Sequence, residues 1–209
     1  MPDERKEVIR RVQAALDTLA DQLYTQHSYL MAQKLIRQPE FGRASAVGIF
    51  VGFGGEVETV RLMAAALRLG KRVAAPTVDV GQRRLLWREV EDPERDIDLG
   101  PLGIPQPHLT CREMQPALMD LVCVPAVAWD EQGRRVARWP GYFNRFLRLA
   151  PRAFKAGMAF ELQVIDDLSK LTQETLVDAL ITEDRVRRFG HAQTPQEWRL
   201  PGGPKGYKG

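Results

Sequence analysis

The chain has 209 residues, 44% hydrophobic and 27% charged, with 30 basic and 27 acidic side chains and a formal charge of +3. That length suits one domain able to bury a full core without staples. No apolar run reaches the ~20 residues of a membrane span, the first residues carry no secretory h-region, and Cys111 and Cys123 fit neither a disulfide framework nor a CxxC metal pattern, so a soluble, cytoplasmic protein is expected.

Val8, Val12, Ala15, Leu16, Leu19 and Leu23 recur at three- and four-residue steps. This predicts one long first helix with Asp3 as its N-cap. The pattern fades after Leu30, and Pro39 ends it. The apolar run 46–51 predicts a buried strand, and Gly52-Phe-Gly-Gly55 a turn. Val60, Met63, Ala64 and Leu67 predict a helix over 56–69, stopped by Gly70, and a second strand over 72–75 precedes Pro76. Strand, helix and strand make a βαβ unit with a parallel pair. Further strands are expected at 85–90, 121–125 and 155–160, a loop at 91–108, a turn at 130–133 and a helix at 142–149. Residues 172–182 read two ways: Thr172 with Glu174 can start a helix, whereas 176–181 suits a strand. The tail, 199–209, has almost no apolar residues and is expected to be disordered, which leaves a single domain over 1–198. The sum is an α/β fold, three-layered and Rossmann-like, with a parallel or mixed sheet and flanking helices. Such sheets bind ligands beyond the carboxyl ends of their strands, so the loops after Val51, Ala75 and Val124 are the places for a site.

Three groups of residues carry possible chemistry. Gly52-Phe-Gly-Gly55-Glu56 turns a strand toward a helix, yet the third glycine of a dinucleotide fingerprint is replaced by Val57, and no P-loop Lys-Ser/Thr follows. Glu56 is either an acidic first helical turn favoured by the dipole or an acceptor for a ligand's N–H donors. Arg134, Arg135, Arg138 and Arg145 surround Gly141 and read either as a solvated basic face or as a polyphosphate grip. Lys6 and Arg10 share a face of the first helix. His27, His108 and His191 are scattered without ligand spacing, and Cys123 reads as a small buried hydrophobe.

Taken in order, several motifs resemble the 5-formyltetrahydrofolate cyclo-ligase family: Lys6-x-x-x-Arg10, Gly55-Glu56-Val-Glu-Thr59, Gly70-Lys-Arg-Val73…Pro76, Gly103-Ile104-Pro-Gln-Pro107, Val122-Cys-Val-Pro125-Ala-Val-Ala-Trp129-Asp130-Glu-Gln-Gly133 and Ile181-Thr-Glu183. The resemblance runs from Lys6 to Asp184. It implies ATP- and Mg²⁺-dependent conversion of 5-formyltetrahydrofolate to 5,10-methenyltetrahydrofolate, with the protein mostly positioning groups and neutralising charge. It also implies site residues. Lys6, Arg10, Arg138, Gly141, Tyr142 and Arg145 would meet the ATP phosphates, with Arg138 and Arg145 catalytic. Phe50, Phe53, Glu56, Trp87, Ile104 and Tyr142 would enclose the folate, and Asn144 and Glu174 stand at the positions of possible Mg²⁺ ligands. A monomer or homodimer is expected, without membrane or nucleic-acid partners.

The stretch Arg135-Val-Ala-Arg138-Trp139-Pro140-Gly141-Tyr142-Phe143-Asn144 departs from the family's R-L-G-R-G-x-G-Y-Y-D. Ala137 and Trp139 replace glycines that let a backbone approach phosphate. Pro140 removes an N–H donor, and Asn144 removes the negative charge that suits Mg²⁺. Two readings stay open: an active ATP-dependent cyclo-ligase with a remodelled phosphate loop, and a non-catalytic or repurposed paralogue that binds a folate or nucleotide. An RNA-binding use of the arginine band lacks the aromatic platforms such modules need.

Overall fold

The computed structural model describes residues 2–100, 103–138, 141–171 and 176–190. The chain opens with α1 (Pro2–Leu16), α2 (Asp21–Ile36) and α3 (Pro39–Arg43). The single long first helix is therefore two. Thr18 donates its hydroxyl to the Ala15 carbonyl at 2.7 Å, closing the last turn of α1, and Ala20 is extended at ψ 142°. A side-chain hydroxyl that competes for backbone acceptors favours such a break. Helix α1 begins at Pro2, so Asp3 lies inside it rather than at its cap.

The βαβ unit is β1 (Ala46–Gly48), α4 (Val60–Arg68) and β2 (Arg72–Asp79). Helix α4 starts four residues later than expected. Between Phe50 and Thr59 the chain loops through Gly54 and Gly55 at φ 57° and 89°, a region glycine enters without strain. The buried Thr59 hydroxyl closes that loop, donating to the Phe50 carbonyl at 2.6 Å and accepting from the Gly52 amide at 3.1 Å. A hairpin leads from β2 into β3 (Arg84–Val90). The expected loop 91–108 holds regular pieces instead: α5 (Pro93–Asp96), β4 (Ile97–Leu99) and β5 (Pro105–Pro107). Asp96 organises them by accepting the Glu91 and Asp92 amides at 2.8 and 2.9 Å.

Then follow β6 (Leu121–Val124), β7 (Ala128–Asp130), β8 (Arg135–Val136), α6 (Tyr142–Leu149), β9 (Phe154–Met158), β10 (Val164–Ile165), β11 (Ala179–Ile181) and β12 (Val186–Arg188). Residues 179–181 thus take the strand reading, while Thr172, Glu174 and the tail 199–209 lie outside the described residues. The main sheet has the order β12-β11-β9-β6-β1-β2-β3, parallel from β11 to β2 and edged by antiparallel β12 and β3. Its central strands are short and apolar throughout, as strands covered on both faces are. One face packs Val12, Leu35, Leu62 and Met63 from α1, α2 and α4. The other packs Trp87, Phe146 and Leu147 beneath α6. This is the mixed α/β sheet between helical layers that the sequence predicts. Among the described residues, no helix is long and apolar enough to cross a membrane.

Candidate active site

The loops beyond β1 and β6, together with the β2–β3 hairpin and the segments before β5 and α6, surround an open cleft. The loop after β1 supplies Phe50, Phe53 and Glu56; the hairpin supplies Pro76, Val78 and Leu85; Ile104, Pro125, Ala126, Arg138, Tyr142 and Phe143 complete the lining. The walls are thus largely aromatic and aliphatic, with a few convergent polar groups, the usual character of a small-molecule site.

Glu56 lies four residues before α4, so the acidic-first-turn reading is set aside. Its backbone carbonyl accepts the Tyr24 hydroxyl. Burial pushes its carboxyl up to about 7, against the opposing pull of the Arg138 charge and a hydrogen bond from the Phe53 backbone. Arg138 crosses toward this loop. Its Nη2 donates to the Gly54 carbonyl at 2.7 Å, and its guanidinium stands 5.5 Å from the centre of the Phe53 ring. Gly141 opens α6 at φ 84°. Arg145 sits 5.2 Å over the Tyr142 ring and donates to the Arg83 carbonyl.

Of the expected folate residues, Phe50, Phe53, Glu56, Ile104 and Tyr142 are brought together here. Trp87 is not. It is 1% exposed, stacked on Phe146 at 4.5 Å and edge-on to Phe143 at 6.1 Å, so it is core beneath α6. Val78, Leu85 and Pro125 were missed. The Pro76-x-Val78 alternation before the hairpin was the available signal for the first two.

The expected phosphate residues divide. Arg138 and Tyr142 line the cleft, whereas Arg145 lines a neighbouring depression with Arg84, Leu85 and Trp87. Lys6 and Arg10 are exposed on α1, and Arg10 is engaged by Glu7 at 2.6 Å. Helix α1 does run along the cleft's rim, where Arg5 donates to the Ala137 carbonyl at 2.6 Å. Among the described residues, the side chains expected to hold a divalent cation do not assemble a site. Asn144 accepts from the buried Arg135 at 3.0 Å, Glu174 lies outside the described residues, and no group of three or more metal-type side chains occurs among the described residues.

The profile of the 5-formyltetrahydrofolate cyclo-ligase family matches residues 2–183. This chain belongs to the 5-formyltetrahydrofolate cyclo-ligase family. It is 27% identical to the 5-formyltetrahydrofolate cyclo-ligase of Escherichia coli (strain K12) over 158 residues, which cover 74% of this chain and 87% of the relative. It is 26% identical to a probable 5-formyltetrahydrofolate cyclo-ligase of Schizosaccharomyces pombe over 190 residues, 84% of this chain and 93% of the relative. The solution structure of Aquifex aeolicus 5,10-methenyltetrahydrofolate synthetase superposes with a TM-score of 0.78 at 25% identity, covering 97% of each chain. The fold is shared also with a 5,10-methenyltetrahydrofolate synthetase from Mycoplasma pneumoniae, with a TM-score of 0.68 at 17% identity over 86% of this chain and 98% of that one.

The cyclo-ligase motifs separate by position. Glu56, Ile104 and Pro125 face the cleft. Lys71, Asp130 and Thr182 hold the fold. Lys71 donates to the Ala44 carbonyl at 2.7 Å. Fully buried Asp130 accepts the Gln132, Arg134 and Leu168 amides at 3.0 Å each, and Thr182 donates to Glu161 at 2.6 Å.

Proposed function

We propose that this chain closes 5-formyltetrahydrofolate to 5,10-methenyltetrahydrofolate at the expense of ATP, within one-carbon metabolism. The observation that carries this reading is the single carboxylate, Glu56, set in an apolar aromatic cleft at the carboxyl ends of the strands. A pterin ring is flat, apolar on its faces and edged with N–H donors. Phe50, Phe53, Ile104 and Tyr142 suit the faces, and the Glu56 carboxylate suits the edge.

In the reaction, the formyl oxygen takes the γ-phosphoryl group of ATP and ADP leaves. The neighbouring folate nitrogen attacks the activated carbon, and phosphate departs. The protein's contribution is orientation and charge neutralisation. Arg138 and Arg145, with the backbone at Gly141 and Tyr142, are the groups assigned to the phosphates, and Lys6 and Arg10 on α1 are assigned with them although both are exposed and Arg10 is held by Glu7. The described residues offer no fit for Mg²⁺, so no step is assigned to a metal.

The test is the ATP-dependent appearance of methenyltetrahydrofolate, read by its absorbance, together with nucleotide binding by calorimetry. Turnover that falls at least tenfold in Glu56→Gln, with ATP binding weakened in Arg145→Ala, supports the assignment. Absence of turnover by the wild-type chain overturns it.

A further inference from the structure

Arg138 is the residue on which two walls of the cleft meet. It lies just beyond β8, yet its Nη2 is bonded to the carbonyl of Gly54, a glycine at φ 57° on the opposite loop. The guanidinium lies over the Phe53 ring, and Arg138 and Glu56 line the same cavity. Its Nε is buried and has no hydrogen-bond partner among the described residues. A group assigned only to phosphates would have no reason to be fixed on the ring-binding loop.

We propose that Arg138 is a positioning residue for the folate side of the cleft: it pins the Gly52–Glu56 loop and sets its positive charge against the Glu56 carboxylate, so that this carboxylate is presented ionised to the N–H edge of the ligand. The inference rests on the folate reading above and adds to it a residue that the family resemblance assigns to phosphate alone. The electrostatics agree. Burial drives the Glu56 carboxyl up to about 7, and the Arg138 charge is the largest influence opposing that rise.

The other groups facing Glu56 leave Arg138 as the cation in control. Tyr24 from α2 bonds the Glu56 backbone, and burial raises its own titration above the usual tyrosine value, so it stays neutral. Glu58 on the same loop caps Arg61. From α1, Leu16 and Gln13 approach Gly55 and carry no charge. The sign follows directly. An ionised carboxylate accepts N–H donors more strongly, and on both oxygens, than the neutral acid does, so folate affinity should fall as pH drops through the titration of Glu56. Removing the arginine should move that fall to higher pH.

The experiment measures binding of 5-formyltetrahydrofolate alone, without nucleotide, across the neutral range for wild type, Arg138→Ala, Arg138→Lys and Glu56→Gln. Wild type should lose affinity below about pH 7. Arg138→Ala should bind about fivefold more weakly at pH 7, approaching about tenfold at lower pH, and recover in mild alkali, a displacement of roughly one pH unit. Arg138→Lys should stay near wild type, and Glu56→Gln should bind weakly with no such inflection, whether or not Arg138 is also replaced. An Arg138→Ala affinity reduced by one constant factor at every pH would mean a loop latch without the electrostatic role, and would overturn the proposal. So would an unchanged profile. Failure of the wild type to bind 5-formyltetrahydrofolate at any pH would instead overturn the folate reading itself.

Discussion

Arg135, fully buried at the end of the short β8 strand, donates from its Nη2 to Oδ1 of Asn144 at 3.0 Å. By the motif resemblance, Asn144 stands at the position of an acidic residue, and here it already serves a cation belonging to the protein. Replacing it with alanine takes an acceptor from a buried guanidinium, a loss of about 1–3 kcal/mol. Asn144→Ala should therefore lower the thermal midpoint. Asn144→Asp should hold or raise it by making the bond charge-assisted, without creating magnesium affinity, because Arg135 neutralises the new charge. Melting curves with and without Mg²⁺ check both statements.

As the proposed folate acceptor, Glu56 should give turnover an acid limb. Its carboxyl titrates at about 7, above the usual carboxylate value, so the ionised form disappears as pH falls through neutrality. The rate at low folate concentration should fall tenfold per pH unit below that point, and Glu56→Gln should abolish the inflection. A profile flat from pH 6 to 8 would count against Glu56 as the folate acceptor.

Trp87 should behave as core. A methyl group added at Gly48 would meet its ring at 2.8 Å, so Gly48→Ala should destabilise as well. Trp87→Ala should cost about 3–5 kcal/mol in denaturant unfolding. The Michaelis constant for folate of whatever folded fraction remains should be unchanged. A selective rise in that constant would return Trp87 to the binding surface.

Arg187 bridges Glu131 and Glu161, with bonds of 2.9 Å to each. The hydrogen bond from Arg187 is the main influence holding the Glu161 carboxyl down, to about 2. A depressed carboxyl stabilises the fold above its unfolded pKa, and that stability is lost as pH falls toward the folded value. Wild type should therefore lose stability between about pH 5 and 2. Arg187→Ala should cost roughly 3 kcal/mol at neutral pH and show a weaker acid dependence, by chemical unfolding at several pH values.

Much of this architecture is legible in local pattern. Helix α6 falls at 142–149 as the sequence predicts, and the apolar runs at 46–51, 72–75 and 121–125 all become central strands. Glu56 and Ile104 were recognisable from short motifs. What escaped depends on distance. Pro76 pairs with Trp87 and Val78 with Leu85 across one hairpin, so all four side chains start from comparable positions. Only the landing of α6 covers Trp87 and leaves Leu85 at the cleft, and no strand pattern encodes where a helix lands. The Arg138–Gly54 bond joins residues 84 apart. The break between α1 and α2 falls within an otherwise continuous apolar stripe, at a turn to which one threonine hydroxyl contributes.

The strand order carries a consequence for how the chain is made. Starting from β1, the sheet extends on one side through β2 and β3, and on the other through β6, β9, β11 and β12. Within this sheet every strand joins an edge that earlier residues have already formed, and none must wedge between two neighbours already paired. A nascent chain emerging from the ribosome can therefore assemble the layer in the order of synthesis. The open flank of β6 is the vulnerable surface until β9 arrives, because an unpaired apolar edge is a template for association with other chains.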